Sequence, residues 1–282
     1  MIAVKDALSI GSKELTKKGI INSLLETKIL IKNILNIPDE KLIFSNEVFL
    51  SDSQFQLYQS FLERRKKFEP IAYILNKREF WKDSFYINSA TLIPRQDSEI
   101  IIETVLKLIP STDKKLKFAD LGTGSGCLII SLLKEYQYSI GVGIDLSKEA
   151  IKVAKRNKNI LLNKHRLKLE IADFSSFKTS KFDVIVCNPP YVNKNDIGNL
   201  QKDVSSYEPH QAIFADEEGF VYYKKIIHNL NKNHKCGQKV FFEIGFRQAR
   251  LVAKLLKNNG FRIILIADDI AGIPRCIAAE KI

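Results

Sequence analysis

The sequence is poor in the residues that build disulfide scaffolds, metal clusters and membrane spans. Only four cysteines occur in 282 residues: Cys127, Cys187, Cys236 and Cys276. They are far apart, with no C-x-x-C pair and no histidine at ligand spacing. Neither a zinc site nor a disulfide framework is supported, and no metal is expected. They read as small apolar residues of a reduced protein. No apolar run approaches the ~18–20 residues that a membrane helix needs. Met1–Lys18 mixes charge and apolarity without an h-region or a small-residue cleavage site. The expectation is therefore no signal peptide, no membrane partner and a cytoplasmic location. Internal repeats, low-complexity tracts and a basic tail are also lacking.

Charge of one sign is in excess but not concentrated. The formal net charge is +12, and Lys outnumbers Arg 34 to 10. Residues 1–83 carry 14 basic and 11 acidic side chains, a net of +3, which leaves +9 for the rest. A spread charge fits an acidic or ribosome-associated partner and does not predict stable nucleic-acid binding. The basic run Glu63-Arg-Arg-Lys-Lys67 reads as a solvated helix end that suits the helix dipole.

What is present is periodic. Residues 1 to about 70 read as helices. Leu24, Leu25, Ile29, Ile31, Ile34 and Leu35 recur near helical spacing before Pro38. A second helix over Ser53–Phe68 places Phe55, Tyr58, Phe61 and Leu62 on one face, with Ser51 or Ser53 as N-cap. From Ile71 to Ile93 aromatics crowd into short alternating stretches, which predicts a strand or hairpin between two domains. Asp97–Ile109 reads as a helix capped around Asp97 and Ser98 and stopped by Pro110. Strand-like runs then alternate with helical ones. The strands are expected over 116–121, 140–145, 167–172, 182–187, 239–244, 261–267 and 276–280. The helices are expected near 127–136, 148–159, 219–231 and 247–259. This pattern means βαβ units and a mostly parallel sheet, with ligands at the carboxyl ends of the strands.

Two segments at such ends carry chemistry. Asp120-Leu-Gly-Thr-Gly-Ser-Gly126 follows a strand and opens a helix. Its glycines let the backbone turn sharply and approach a ligand. The spacing is not the G-x-G-x-x-G of nicotinamide enzymes. It suits the zwitterionic amino-acid end of S-adenosylmethionine, and Gly122, Thr123, Gly124, Ser125 and Gly126 are the cradle. Asp145, ending the next strand, can accept both ribose hydroxyls, a role compatible with helix capping beside Ser147. Asp173 and Phe174, after the third strand, are placed to hydrogen-bond and stack against adenine.

The strand Phe182–Cys187 runs into Asn188-Pro189-Pro190-Tyr191. Two prolines stiffen the chain and donate no hydrogen bonds. The Asn188 side-chain carbonyl and the Pro190 backbone carbonyl can accept both hydrogens of one planar –NH2 group, and Tyr191 can pack on its face. An amide nitrogen is a poor nucleophile because its lone pair is delocalised. Two acceptors position it and disperse the positive charge that develops on methylation, so neither a dedicated base nor a metal is required.

On these residues the chain resembles the bacterial peptide chain release factor N5-glutamine methyltransferases, the HemK/PrmC family. The resemblance extends through Glu69-Pro-Ile-Ala-Tyr73, Glu79-Phe-Trp81, Leu92-Ile-Pro-Arg95, Asp97-Ser-Glu99, Glu208-Pro209, Glu243-Ile-Gly245 and Ala271-Gly-Ile-Pro-Arg275. Lys77 and Lys82 stand where similar sequences have glycine, Gln96 where proline is usual, and Phe174 where tryptophan is common. The resemblance implies an α/β fold: a seven-stranded Rossmann-like class I methyltransferase domain over 94–282, its last strand antiparallel. It also implies a linker hairpin over 75–93 and a small helical domain over 1–74 that helps dock the substrate. The implied substrate is the Gln of the Gly-Gly-Gln loop of class I release factors, with S-adenosylmethionine as methyl donor. The alternatives are a nucleic-acid amine methyltransferase acting on adenine N6 or guanine N2, and a non-catalytic cofactor-binding adapter. The first requires an added base-recognition domain and base flipping. The second requires an altered tetrapeptide, and this one is intact.

Overall fold

The computed structural model describes residues 1–43, 47–163 and 165–282, and the chain forms two compact units. The first is Met1–Asn76 with Gln201–Tyr207, and the second is Lys77–Leu200 with Glu208–Ile282. The boundaries read from sequence put Gln201–Tyr207 in the methyltransferase domain; it belongs with the first unit.

In the first unit, helices Val4–Lys17, Ser23–Leu35 and Asp52–Lys66 enclose an apolar core built on Val4, Leu15, Leu30, Ile31, Tyr58 and Leu62. The third helix starts at a capping box. Ser51 Oγ accepts from Gln54 N at 3.2 Å and Gln54 Oε1 accepts from Ser51 N at 2.9 Å, which satisfies two otherwise orphaned donors. The second helix buries Leu30 and Ile31 but exposes Leu24, Leu25 and Ile29. The stripe suggested by spacing is therefore only partly its buried face.

The basic run is not a solvated end. Arg65 is buried and makes a bidentate pair with Glu26, Nε to Oε2 at 2.7 Å and Nη2 to Oε1 at 3.0 Å. Arg64 pairs with Glu69, and Lys66 with Glu14 at 3.0 Å and with Glu63. These partners compensate the desolvation of the buried guanidinium. The segment Gln201–Tyr207 joins the same surface. Asp203 lies 3.7 Å from Arg65, the Lys202 ammonium sits 4.9 Å from the Phe68 ring centroid, and Tyr207 OH donates to Lys67 O at 2.7 Å.

The second unit is a seven-stranded sheet. Its order is Phe261–Asp268, Pro274–Lys281, Lys239–Glu243, Val184–Cys187, Lys117–Leu121, Ile140–Asp145 and Leu167–Ile171. The strand Pro274–Lys281 is antiparallel to both neighbours, and the pairs on the other side of Lys239–Glu243 are parallel. Side chains alternate between two cores. Phe118, Val184, Val186, Phe241 and Ala278 pack on one face with helices Glu99–Leu108 and Cys127–Glu135. Ala119, Leu121, Ile185, Cys187, Val240, Phe242 and Ile277 pack on the other with helices Val221–Lys232 and Ala249–Asn258. Burial on both faces explains why these strands read as continuous apolar runs.

The linker prediction resolves into one helical turn, Ile71–Ile74, and an antiparallel hairpin of Lys77–Phe80 with Asp83–Tyr86. At its tip, Trp81 has a φ of +56° and donates from Nε1 to Glu135 Oε1 at 2.8 Å, and Lys82 pairs with the same carboxylate at 2.6 Å. The buried Asn157 ties this hairpin to the glycine loop. Its Oδ1 accepts from Tyr86 N, and its Nδ2 donates to Tyr86 O and to Ser125 O, all within 2.8–2.9 Å. The helix expected from Asp97 begins as a 3-10 turn over Gln96–Ser98 and continues as Glu99–Leu108. Ser98, at its N-cap, makes no capping bond, because its side chain is engaged elsewhere. No helix among the described residues is long and apolar enough to cross a membrane.

A close approach in the first unit generates a prediction. Tyr58 is fully buried and its hydroxyl donates to Ala7 O at 3.1 Å. A Cβ added at Gly11 would lie 1.9 Å from that hydroxyl. Gly11→Ala is expected to destabilise by about 1–3 kcal/mol through overpacking, and Tyr58→Phe by about 1 kcal/mol. In urea unfolding of the full chain, the double variant should lose less than the sum, since removing the hydroxyl makes room for the methyl. Strict additivity would contradict this packing.

Candidate active site

The glycine loop leaves the strand Lys117–Leu121 at its carboxyl end. Gly122 and Gly124 have φ values of +80° and +53°, a region other residues rarely adopt. A Cβ added at either would meet only open space. That space is a cavity of about 390 Å3. The loop is held from behind: Gly122 N and Thr123 N both donate to Ile144 O, at 2.9 and 2.8 Å. Asp145 accepts from Gly124 N through Oδ2 and from Ser147 N through Oδ1, both at 2.9 Å. It thus braces the cradle and the next helix start while lining the cavity. Ser147, whose Oγ accepts from Ala150 N at 3.1 Å, caps the helix Lys148–Leu161.

Gly122, Thr123, Gly124, Ser125, Asp145, Phe174, Asn188 and Pro190 line this one cavity, as the sequence reading requires of a common site. Gly126, Asp173, Pro189 and Tyr191 do not appear on its wall. Gly126, in the left-handed region, is the N-cap of helix Cys127–Glu135. Asp173 Oδ1 accepts from Ser175 N at 2.7 Å, so this carboxylate closes a turn. Phe174 packs edge-on against Tyr222 at 5.7 Å, forming an aromatic corner.

Sequence reasoning gave no role to the opposite wall. Ala90, Thr91, Leu92, Pro94 and Arg95 line it. The buried Glu208 fixes this wall by accepting from Ile93 N at 3.0 Å and pairing with the Arg95 guanidinium. Arg95 and Glu208 both stand in segments quoted for the family resemblance, which was the available signal. Tyr222 and Gln211 gave none, and Ser98 was read only as a helix cap within the quoted segment Asp97-Ser-Glu99.

The tetrapeptide is held on every side. Cys187 Sγ donates to Leu121 O at 2.9 Å, joining the tetrapeptide's strand to the glycine loop's strand. Asn188 Nδ2 donates to Ser98 Oγ at 3.1 Å. Tyr191 OH donates to Glu243 Oε1 at 2.9 Å, and Tyr191 O accepts from Gln248 Nε2 at 3.1 Å. A Cβ at Gly245 would stand 2.8 Å from both Tyr191 Cδ2 and Gln248 Oε1, so only glycine lets this ring pack here. The Glu243 carboxylate beside it, together with burial, pushes the Tyr191 phenol well above its ordinary value. Tyr191 is therefore a neutral hydrogen-bond donor at neutral pH. Burial raises Glu243 too, while Ser98, Tyr191 and Arg275 pull it down. Burial pushes the Cys127 thiol up to about 12, which leaves it protonated.

Asp120 lies beneath the cradle, 1% exposed. Its Oδ2 accepts from Thr123 Oγ1 at 2.7 Å, and its Oδ1 has no hydrogen-bond partner among the described residues. Burial first, and Asp145 nearby, push this carboxyl up to about 7. Its ordinary value is about 3.9. Between those values the folded protein holds a proton that the unfolded chain has lost, so stability falls as pH rises through the window. Asp120→Asn removes the charge and the penalty. Thermal melts of the cofactor-free protein should show the variant gaining more over wild type at pH 8 than at pH 5. An equal difference at both pH values would contradict the assignment.

The cavity, the open space above two glycines and the Asp145 carboxylate on its wall fit a compact, positively charged nucleoside amino acid such as S-adenosylmethionine. Comparison with known proteins agrees. Residues 6–75 match the PrmC N-terminal domain and residues 96–204 the Methyltransferase small domain. Among solved structures, the chain is similar to the hMettl16 catalytic domain in complex with the MAT2A 3'UTR hairpin 6. The TM-score is 0.54 at 17% identity, covering 82% of each chain, a likeness of fold alone. The chain is 34% identical to the bifunctional methyltransferase of Rickettsia felis, covering 99% of this chain and 58% of that protein. It thus spans little more than half the length of that relative. It is 35% identical to the release factor glutamine methyltransferase of Thermodesulfovibrio yellowstonii, covering 95% of this chain and 96% of the relative. A match of that extent at both ends, joined to an intact tetrapeptide beside the glycine cradle, places this chain in the release factor glutamine methyltransferase family.

Proposed function

We propose that this protein transfers a methyl group from S-adenosylmethionine to the side-chain amide nitrogen of the Gln in the Gly-Gly-Gln motif of class I peptide chain release factors. The products are N5-methylglutamine, S-adenosylhomocysteine and a proton. The observation that carries this reading is the shared cavity: Asn188 and Pro190 line the space that the glycine loop opens. Gly122–Ser125, Asp145 and Phe174 are the residues that hold the cofactor. Its sulfonium supplies the electrophilic methyl. The negative charge of Asp145 favours a cationic ligand, and Phe174 with Tyr222 offers an apolar corner for the adenine.

The chain's own residues prepare the acceptor. The Asn188 Oδ1 and Pro190 carbonyls accept the two N–H bonds of the glutamine amide and fix the nitrogen's lone pair toward the cavity. Tyr191, neutral and tethered to Glu243, packs against the amide plane. As charge builds on the nitrogen, both carbonyl dipoles already point at it, so little reorganisation is needed. The proton leaves from a nitrogen made acidic by methylation, and water suffices to take it.

The partner is a protein, in a cytoplasmic setting. The basic run Arg64–Lys66 is consumed by Glu69, Glu26, Asp203, Glu14 and Glu63. That leaves it little to offer phosphates and supports a release factor over nucleic acid.

The test is transfer of labelled methyl to a purified class I release factor, beside its Gly-Gly-Gln Gln→Ala variant and a duplex DNA. Label is expected on the wild-type factor alone; label on DNA alone would promote a nucleic-acid substrate. Asn188→Ala should lower turnover by a factor on the order of 10²–10³. Asp145→Asn should weaken cofactor binding by about 1–3 kcal/mol in calorimetry, and an unchanged affinity would remove Asp145 from the cofactor site.

A further inference from the structure

The cavity wall carries two charges of opposite sign. Asp145 is its acid and Arg95 its cation, and the other lining residues are uncharged. The sheet places these groups in order. Phe174 follows Leu167–Ile171, Asp145 ends Ile140–Asp145, the glycine loop leaves Lys117–Leu121, and Asn188 leaves Val184–Cys187. These four strands are successive neighbours in the sheet. Along that edge the aromatic corner comes first and the tetrapeptide last. Arg95 belongs to the tetrapeptide end. Its carbonyl accepts from Ser98 N at 3.1 Å, and Ser98 Oγ accepts from Asn188 Nδ2 at 3.1 Å.

Arg95 is anchored from behind. The Glu208 side chain is 1% exposed; its Oε2 accepts from Ile93 N at 3.0 Å and its Oε1 accepts from Arg95 Nη2. The guanidinium is thereby held at one corner. The Arg95 side chain is 35% exposed and makes no other hydrogen bond among the described residues. A guanidinium carries five N–H donors in a planar fork that matches a carboxylate. Most of that fork is left for a ligand. The cofactor of the proposed reading brings a group that needs it. Its ribose and adenine are assigned to Asp145 and Phe174, which leaves its α-carboxylate without a counter-charge. A carboxylate taken from water without a partner is costly. The acceptor glutamine is uncharged and makes no such demand.

We infer that Arg95 binds the α-carboxylate of S-adenosylmethionine, with Glu208 as the positioning residue that aims its guanidinium. This deepens the proposed cofactor reading and rests on it. With the amino-acid tail held at Arg95 and the nucleoside at Asp145 and Phe174, the sulfonium between them is restrained toward the tetrapeptide.

Calorimetry on the full chain tests this with two ligands that differ in the amino-acid tail. S-adenosylhomocysteine has the carboxylate, and 5′-methylthioadenosine lacks it. Arg95→Gln should weaken S-adenosylhomocysteine by a factor on the order of 10–100 and leave methylthioadenosine nearly unchanged. Arg95→Lys keeps the charge but loses the fork, so its loss should fall in between. Glu208→Gln keeps the guanidinium and loosens its anchor. It should show a smaller loss, again confined to S-adenosylhomocysteine. Removing Arg95 alone leaves Glu208 buried without its partner, which can unsettle the wall. The double variant Arg95→Gln, Glu208→Gln removes both charges and should show the same selective loss. Equal weakening of both ligands in the double variant would overturn the inference, and so would no weakening of either. Unchanged affinities with a raised KM for the release factor would give the guanidinium to the acceptor's amide oxygen and overturn it equally. A wild-type protein that binds neither ligand would remove the cofactor reading itself, a failure distinct from that of Arg95.

Discussion

The site depends on the parallel pairing of two strands, Lys117–Leu121 and Val184–Cys187. Their register sets Ala119 opposite Ile185 and Asp120 opposite Val186. Because the strands are parallel and in step, both chains leave the sheet at the same edge and the same height. The glycine loop and the tetrapeptide, 66 residues apart in the chain, become neighbours without further design. The Cys187 thiol, donating to Leu121 O, adds a bond across the point where they diverge. Slipping this register would separate the ligand cradle from the acceptor site and turn buried side chains toward the wrong core.

Around that edge, polar groups are buried only where partners compensate them. Asn157 serves three backbone groups at once, and Glu208 serves a backbone amide and Arg95. Arg275 lies 3.1 Å from both Asp97 and Asp269, joining the hairpin of the last two strands to the turn that precedes Ser98. Asp120 and Glu243 depart from this. Each keeps one oxygen unbonded among the described residues, as Asp83, Ser131 and Gln238 each keep one polar atom. Both acids lie behind the ligand-facing residues, and such uncompensated acids are found where a protein spends stability on function.

The central strands were legible because they are apolar on both faces, and the glycine spacing was legible because few sequences put three glycines at alternate positions after a strand. The helix cap expected at Ser51 or Ser53, where the structure chooses Ser51, was readable because its logic is local. Ser98 was not. It looked like a helix cap, and its true partner, Asn188, is 90 residues away. Arg95 and Glu208, 113 residues apart, meet only after the sheet has formed. The basic run Arg64–Lys66 misled because three of its acids, Glu14, Glu26 and Asp203, lie on other helices, invisible to any short window. Leu24, Leu25 and Ile29 misled for the opposite reason: spacing shows that a stripe exists but not that a neighbour covers it. Asp173 and Phe174 show how finely adjacent residues divide, one closing a turn and the next lining the cavity.

The discontinuity of the first unit has a consequence for synthesis. Its last piece, Gln201–Tyr207, is translated only after the whole of residues 77–200. While the chain is emerging, the Lys67 carbonyl, the Phe68 ring and one side of Arg65 wait without the groups that will cover them. The helical unit is complete only once this later segment has joined it. Cutting the chain at residue 76 would part Arg65, Lys67 and Phe68 from the segment that supplies Lys202, Asp203 and Tyr207.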